Sequence, residues 1–264
     1  MRIGRYDTLN SVSNGGSGIV YRAVDTSNGS LVAIKVLREK FHNNPIALEQ
    51  FRFEANQLLA LDHSNIVKII DYAESPPYLV MEFIEGKTLE ESILQRRKPY
   101  TEKQAINIIL QVLQAINYAH NQTISVLHLD LKPSNIMIND FSQVKVIDFG
   151  ISTKINTYLH EMFVGSPYYM SPEQVHKNSI LIHSDIYSIG ITFYYLLTGH
   201  VPFDKNLNLE QVYNKIIEGD LIPITAFNPN ISPRLVEIIS KCTSKFIKNR
   251  FNNCNSVINA LSSL

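Results

Sequence analysis

The period of the hydrophobic positions changes along the chain. Residues 6–37 carry short apolar runs at strand spacing and read as three strands. Val20-Tyr21-Arg22-Ala23-Val24 and Leu31-Val32-Ala33-Ile34-Lys35-Val36 flank Asn28-Gly29, a strong hairpin signal because that dipeptide tolerates positive φ. A Gly-rich turn, Ser13-Asn14-Gly15-Gly16-Ser17-Gly18, comes before them; such a turn lets backbone amides approach a phosphate without Cβ interference. Residues 45–61 take up the helical period. Pro45 suits a first helical position, and Ala47, Phe51, Leu58 and Leu61 form one stripe with Glu54 inside it. A carboxylate on an inward stripe must be paired or protonated. Strands are expected at Ile66–Tyr72 and Tyr78–Met81, with Met81 to Gly86 passing into a linker.

From Lys87 the pattern is mainly helical. Thr101-Glu102-Lys103-Gln104 is a capping box that opens a helix to about Asn121, with Ile106, Ile109, Leu113 and Ile116 on one face. Asp185 to Leu197 is apolar nearly all round, as in a helix buried on every side, and Gly199 ends it. Helices near 208–218, 232–244 and 253–263 follow.

One stretch departs from these core patterns, LHLDLKPSNIMINDFSQVKVIDFG from Leu127 to Gly150. Ile136-Met137-Ile138 and Val144-Lys145-Val146-Ile147 flank the turn-rich Asn139-Asp140-Phe141-Ser142 and read as a hairpin. Before its first strand lie Asp130, Lys132 and Asn135, and after its second lies Asp148. A hairpin brings those ends together, so two carboxylates, an amide and an ammonium converge. That set suits a metal-bound phosphate beside a carboxylate that orients a hydroxyl. Asn135 and Asp148 supply hard oxygen ligands, which favour Mg²⁺ over zinc or copper.

Composition narrows the partners. Lys+Arg and Asp+Glu are 24 each, so zero net charge offers no electrostatic case for nucleic acid or a membrane surface. No apolar window is long enough for a membrane-inserting helix, and the start, MRIGRYDTLN, has no signal-peptide core. Cys242 and Cys254 are too few for a disulfide framework or a thiolate metal site; a reducing, cytoplasmic compartment is expected.

HLDLKPSN at 128–135 resembles the protein-kinase catalytic loop H-R-D-L-x-x-x-N, and Asp148-Phe149-Gly150 resembles that family's metal-binding motif. Val32-Ala33-Ile34-Lys35 is similar to its phosphate-binding strand. Residues 13–20 are similar to its Gly-rich loop, with Gly15 and Gly18 at the second and third glycines and Ser13 at the first. Ser171-Pro172-Glu173 matches the A-P-E motif, and Asp185 to Gly190 matches D-x-W-S-x-G with Tyr187 for Trp. Leu129 stands where many members have Arg.

The resemblance covers essentially the whole chain. It implies an α+β, bilobal protein-kinase fold over 1–264: a β-rich smaller lobe with one main helix (1–80), a hinge (81–86) and a mainly α-helical larger lobe (87–264). It implies that Asp130 accepts the proton of the substrate hydroxyl, that Lys132 sits by the transferring phosphate, and that Asn135 and Asp148 hold magnesium. Lys35 would bind ATP phosphates and pair with Glu54. Val20, Ala33 and Met137 would sandwich adenine, Met81 would stand at the back of its site, and the backbone from Glu82 to Ile84 would bind its edge. Ser166 would contact Asp130 and Lys132, Glu173 would pair with Arg250, and Asp185 would hold the catalytic-loop backbone. The activity implied is transfer of the γ-phosphate of Mg-ATP to Ser or Thr hydroxyls of protein substrates. A kinase-like binding module and a small-molecule phosphotransferase on a related fold are the alternatives. Leu129 further implies activity without activation-loop phosphorylation, because it cannot grip a phosphate as Arg does.

Overall fold

The computed structural model describes residues 1–14, 18–149, 167–176, 181–204 and 206–264, without the side chains of Gln50 and Glu54. Its contacts divide the chain into two units, Met1–Glu85 and Gly86–Leu264.

In the first unit β1 (Arg2–Ile3), β2 (Tyr6–Asn14), β3 (Gly18–Asp25), β4 (Leu31–Leu37), β5 (Ile69–Glu74) and β6 (Pro77–Glu82) form one antiparallel sheet in the order β1-β2-β3-β4-β6-β5. Residues directly opposite one another share a face, as do residues two apart. Val20 lies opposite Lys35, Ala33 opposite Met81 and Lys35 opposite Leu79. Val20, Ala33, Lys35 and Met81 therefore line one face. Ala23, Val32, Ile34 and Val80 line the other and close a core with Ile3, Tyr6 and Tyr78. Gly18 is required by packing, since a Cβ there would meet the Val36 carbonyl oxygen at 2.6 Å.

The β3–β4 turn is longer than the two residues that Asn28-Gly29 implies. Asp25 organises it: Oδ1 accepts from the Ser27 amide at 2.9 Å, and Asp25 O accepts from Gly29 N at 2.8 Å with Gly29 at φ 77°. Helix α1 (Pro45–Leu59) starts on Asn44, whose side chain accepts from the amides of Ile46 and Ala47. The expected stripe is its buried face: Ala47, Phe51 and Leu58, with Leu61 just beyond. β5 begins three residues later than the apolar run does. Ile66 and Val67 are buried, yet Ile66 N donates to His63 O at 3.0 Å and Lys68 N to Glu82 Oε1 at 2.8 Å, so those amides serve a turn and a side chain instead of a ladder.

In the second unit β7 (Lys87–Thr88), β8 (Ile136–Ile138) and β9 (Val144–Val146) form a small sheet. The helices are α2 (Leu89–Arg96), α3 (Glu102–His120), α4 (Pro172–Val175), α5 (Ile182–Thr198), α6 (Leu209–Glu218), α7 (Pro233–Cys242) and α8 (Cys254–Ser262). Helix α5 is buried from Ser184 almost without interruption to Thr198, which explains a sequence with no polar face; it packs on α3 and α7 and ends on Gly199 at φ 72°. Helix α3 has its expected cap, with Thr101 and Gln104 exchanging hydrogen bonds, and α2, α4 and α6 carry the same box at Thr88/Glu91, Ser171/Gln174 and Asn208/Gln211. Among the described residues no helix is long and apolar enough to cross a membrane.

Candidate active site

Strands β8 and β9 pair with Ile136 opposite Val146 and Ile138 opposite Val144. The Asn139 side chain shapes the turn, its Oδ1 accepting from the amides of Phe141 and Gln143. Ile147 N donates to Asn135 O at 3.0 Å and carries the ladder one step further, so Asn135 and the chain entering Asp148 emerge at the same end of the hairpin. Asp148 sits at φ 51°, in the left-handed region that non-glycine residues seldom occupy.

Asp130 is held by its neighbours. Lys132 Nζ donates to Asp130 Oδ2 at 2.7 Å and to Oδ1 at 3.0 Å. Asn135 Nδ2 donates to Asp130 Oδ2 and to Asp130 O, each at 2.9 Å. The carboxylate is thus fixed by an ammonium and an amide while remaining about one-third exposed (side chain 32%). With Nδ2 committed to Asp130, the Asn135 amide presents its oxygen to other partners. That oxygen and the Asp148 carboxylate make an all-oxygen donor pair, which fits a hard divalent cation.

The backbone under this loop is clamped from α5. Asp185 is fully buried; its Oδ2 accepts from His128 N at 2.9 Å and from His120 Nε2 at 2.7 Å, and its Oδ1 accepts from Leu129 N at 2.8 Å. Burial alone would push the Asp185 carboxyl up, but the His120 and backbone hydrogen bonds outweigh it and hold it below the usual carboxylate range. Leu129 has φ 62°, a conformation a bulky side chain rarely adopts.

His128 is fully buried beneath Phe149, with ring centroids 4.6 Å apart. Its Nδ1 accepts from Asp130 N at 3.3 Å, which leaves Nε2 to donate to Ile147 O at 3.1 Å. That is a neutral imidazole with both nitrogens used, and burial pushes its pKa down despite Asp185 and Asp130 nearby. His183 is pushed down as well, by burial and by Arg250. Both groups bind fewer protons folded than unfolded below about pH 6.5, the ordinary imidazole value. Stability should therefore rise with pH through the window below about 6.5 and be lost as pH falls through it. Urea midpoints measured at about pH 7.5, 6.5 and 5.5 should descend in that order, and His183→Gln should keep part of the slope. A flat profile would contradict the neutral, buried assignment of His128.

Glu173 and Arg250 meet as the resemblance implies. The pair is bidentate, Nη1 to Oε1 at 2.7 Å and Nη2 to Oε2 at 2.9 Å, and the guanidinium also donates to the carbonyls of His183, Ser244 and Lys245. Burial would raise the Glu173 pKa; Arg250 and the Ser184 hydroxyl bring it below the usual range.

The remaining candidate residues that are described fall in both units. Val20, Ala33, Lys35 and Met81 share one face of the first unit's sheet, and Glu82 and Ile84 end its last strand and follow it. Ser13 lies within β2, opposite Val20, and Gly18 begins β3. Met137 is in β8 of the second unit. Gly15, Ser166 and the Glu54 side chain lie outside the described residues. The sequence reading missed Gln174, whose Nε2 donates to Leu129 O at 2.9 Å. The spacing Ser171-x-x-Gln174 signals a cap and nothing more.

The fold is that of a protein-kinase catalytic domain. It matches the crystal structure of the PknI kinase domain from Mycobacterium tuberculosis with a TM-score of 0.78, covering 100% of this chain and 97% of that one at 21% identity. The chain also belongs to the protein kinase family by sequence, since the family's protein kinase domain pattern matches residues 6–260. It is 40% identical over 254 residues to the probable serine/threonine-protein kinase PknB of Lactococcus lactis, covering 94% of this chain and 40% of that protein. It is 39% identical over 247 residues to the serine/threonine-protein kinase PrkC of Bacillus subtilis, covering 92% of this chain and 38% of that protein. With PknB of Mycobacterium tuberculosis it shares 36% identity over 258 residues, covering 94% of this chain and 41% of that protein. The chain spans about two-fifths of the length of these curated relatives.

Proposed function

We propose that this chain transfers the γ-phosphoryl group of Mg-ATP to Ser and Thr hydroxyls of protein substrates. The observation that carries the reading is the double grip on Asp130, a partly exposed carboxylate fixed by Lys132 and Asn135 beside the end of the β8–β9 hairpin. Kinship with proteins named serine/threonine kinases supports it. So does Lys132 two residues after the acid, together with Gly165-Ser166-Pro167 before the Ser171-Pro172-Glu173 motif.

In this mechanism Asp130 orients the substrate hydroxyl and takes its proton as the oxygen bonds the γ-phosphorus and ADP departs. Lys132 offsets charge at the transferring group and keeps Asp130 aimed. Asn135 and Asp148 would hold the divalent ion, which when bound neutralises phosphate charge. Lys35, paired with Glu54, would bind the α- and β-phosphates under the turn formed by Ser13, Gly15 and Gly18. Adenine would lie between Val20, Ala33 and Met137, with Met81 behind it and the backbone of Glu82 and Ile84 at its edge. The catalytic domain so read runs 1–80, 81–86 and 87–264 as smaller lobe, hinge and larger lobe. A cytoplasmic setting goes with ATP as donor and with Cys242 and Cys254 both free.

Activity without activation-loop phosphorylation is part of the proposal. Loop phosphates act by pairing with a basic pocket, and Leu129 brings a buried aliphatic side chain where that pocket needs a guanidinium. Ser152, Thr153, Thr157 and Lys154 lie outside the described residues. The test treats purified protein with phosphatase, verifies a bare segment by mass spectrometry, and follows labelled ATP into a peptide with phosphoamino-acid analysis. Label on Ser or Thr at a rate within about threefold of untreated protein is expected. Absence of transfer before and after treatment would reject the kinase reading. A fall beyond about tenfold, reversed by rephosphorylation, would reject only the loop-independent part.

A further inference from the structure

The left-handed backbone at Leu129 needs holding, because a bulky residue persists at φ 62° only where its surroundings over-determine it. Asp185 grips the amide side through Leu129 N at 2.8 Å. The carbonyl side is gripped from a different element. Gln174 Nε2 in α4 donates to Leu129 O at 2.9 Å, with Gln174 only 4% exposed. The other end of the same amide is locked in turn: Gln174 Oε1 accepts from Ser171 N at 3.0 Å and Ser171 Oγ at 3.1 Å. These bonds orient the amide so that its NH₂ group faces the loop. The neighbouring side chain, Glu173, ties α4 to Arg250 and to Ser184 in α5. Two adjacent residues of one short helix therefore do different jobs, one anchoring α4 and the other reaching from it to the peptide that precedes Asp130.

Resting on the kinase reading, we infer that Gln174 is a positioning residue for Asp130: through the Leu129 carbonyl it sets the aim of the acid, and it links the seating of α4 to turnover. Residue 129 is one bond from Asp130, so loss of the grip lets the Asp130 carboxylate drift relative to a bound hydroxyl. Small misplacements of a reacting group cost rate far more than they cost binding. The cap and the grip can be separated. Ser171→Ala removes the cap and leaves the Gln174 donor. Gln174→Met fills the same space and removes both. Gln174→Glu keeps acceptors for Ser171 and removes the donor to Leu129 at neutral pH, and it serves the comparison if the methionine variant does not fold.

The experiment measures kcat and KM for ATP, and amide hydrogen exchange in the peptide spanning residues 127–131, for wild type and these variants. Expected for Gln174→Met is a kcat lower by about ten- to hundredfold with KM for ATP unchanged, and faster exchange at 127–131. Ser171→Ala should stay within about threefold of wild type in kcat and keep that exchange protected, although it loses a helix cap. Equal kcat and equal exchange in the two variants would overturn the inference, since the effect would then be that of the cap alone. A loss in Gln174→Met carried by KM for ATP would overturn it too. If wild type transfers no phosphate, the kinase reading fails on that result. The exchange comparison still decides whether Gln174 holds the loop.

Discussion

Asp130→Asn should lower phosphoryl transfer by roughly 10²–10⁴-fold while leaving ATP affinity unchanged. The structure gives the reason for both halves. Asp130 is joined to Lys132 and Asn135 by hydrogen bonds of 2.7 to 3.0 Å, and its backbone is set by His128 and, through the adjacent peptide, by Asp185. None of those bonds asks the side chain to be a base; an amide of the same shape can fill the place. It cannot accept a proton from a hydroxyl. Lys132 and Asn135 are donors, so the new amide would turn its oxygen toward them and its NH₂ toward the substrate, which inverts the polarity a nucleophile needs. Steady-state rates with a peptide substrate, together with calorimetric titration of Mg-ATP, would decide the matter. Turnover near the wild-type rate would remove Asp130 from the role of base.

The second large effect is on stability. Arg250→Met should destabilise the unit Gly86–Leu264 by about 3–5 kcal/mol, because it leaves a carboxylate buried without its cation. Glu173 is 6% and Arg250 2% exposed, and the two groups share two hydrogen bonds. The guanidinium also satisfies three backbone carbonyls and lies 5.0 Å from the Tyr187 ring centroid, so its loss strips several groups at once. Adding Glu173→Gln should recover part of the loss, since the stranded charge is then gone. Arg250→Lys should fail to rescue, because one ammonium cannot reproduce the fork. Denaturant unfolding of the three variants measures this. A cost below about 1 kcal/mol for Arg250→Met would show that the pair behaves as a solvated surface bridge.

Much of the architecture could be read from the residues because local and global demands agree. Helix α3 has a capping box at one end and an unbroken apolar face. Helix α5 has no polar face because it has no exposed one. The β8–β9 hairpin was legible from Asn139 and its neighbours, and it brings Asn135 to the chain entering Asp148. The misread start of β5 has a plain cause. Ile66 and Val67 are as buried as strand residues, but burial does not reveal that the Ile66 amide turns to the His63 carbonyl and the Lys68 amide to the Glu82 side chain. The long-range polar bonds were legible only through resemblance. Nothing in the composition around Asp185 says that it will accept from His128 and Leu129 more than fifty residues earlier. The left-handed Leu129 was legible by neither route, since propensity argues against it, and the glutamine that meets its carbonyl was hidden inside an ordinary cap.

The Glu173–Arg250 pair joins residues 77 positions apart. It has a consequence for how the protein is made. A ribosome delivers the chain from the amino end, and an early unit can fold before a later one exists. The sheet of Met1–Glu85 draws all its strands from that unit and can close soon after it emerges. The candidate catalytic loop cannot. Its backbone waits for Asp185, and α4, which reaches that loop through Gln174, waits for Arg250 to neutralise Glu173. Until then a buried carboxylate has no counter-charge and α4 lacks its ionic anchor. The nascent protein can therefore assemble its first unit, with the candidate phosphate-binding Lys35, well before its candidate acid–base centre is in place. A chain released early would carry that unit and no means of turnover.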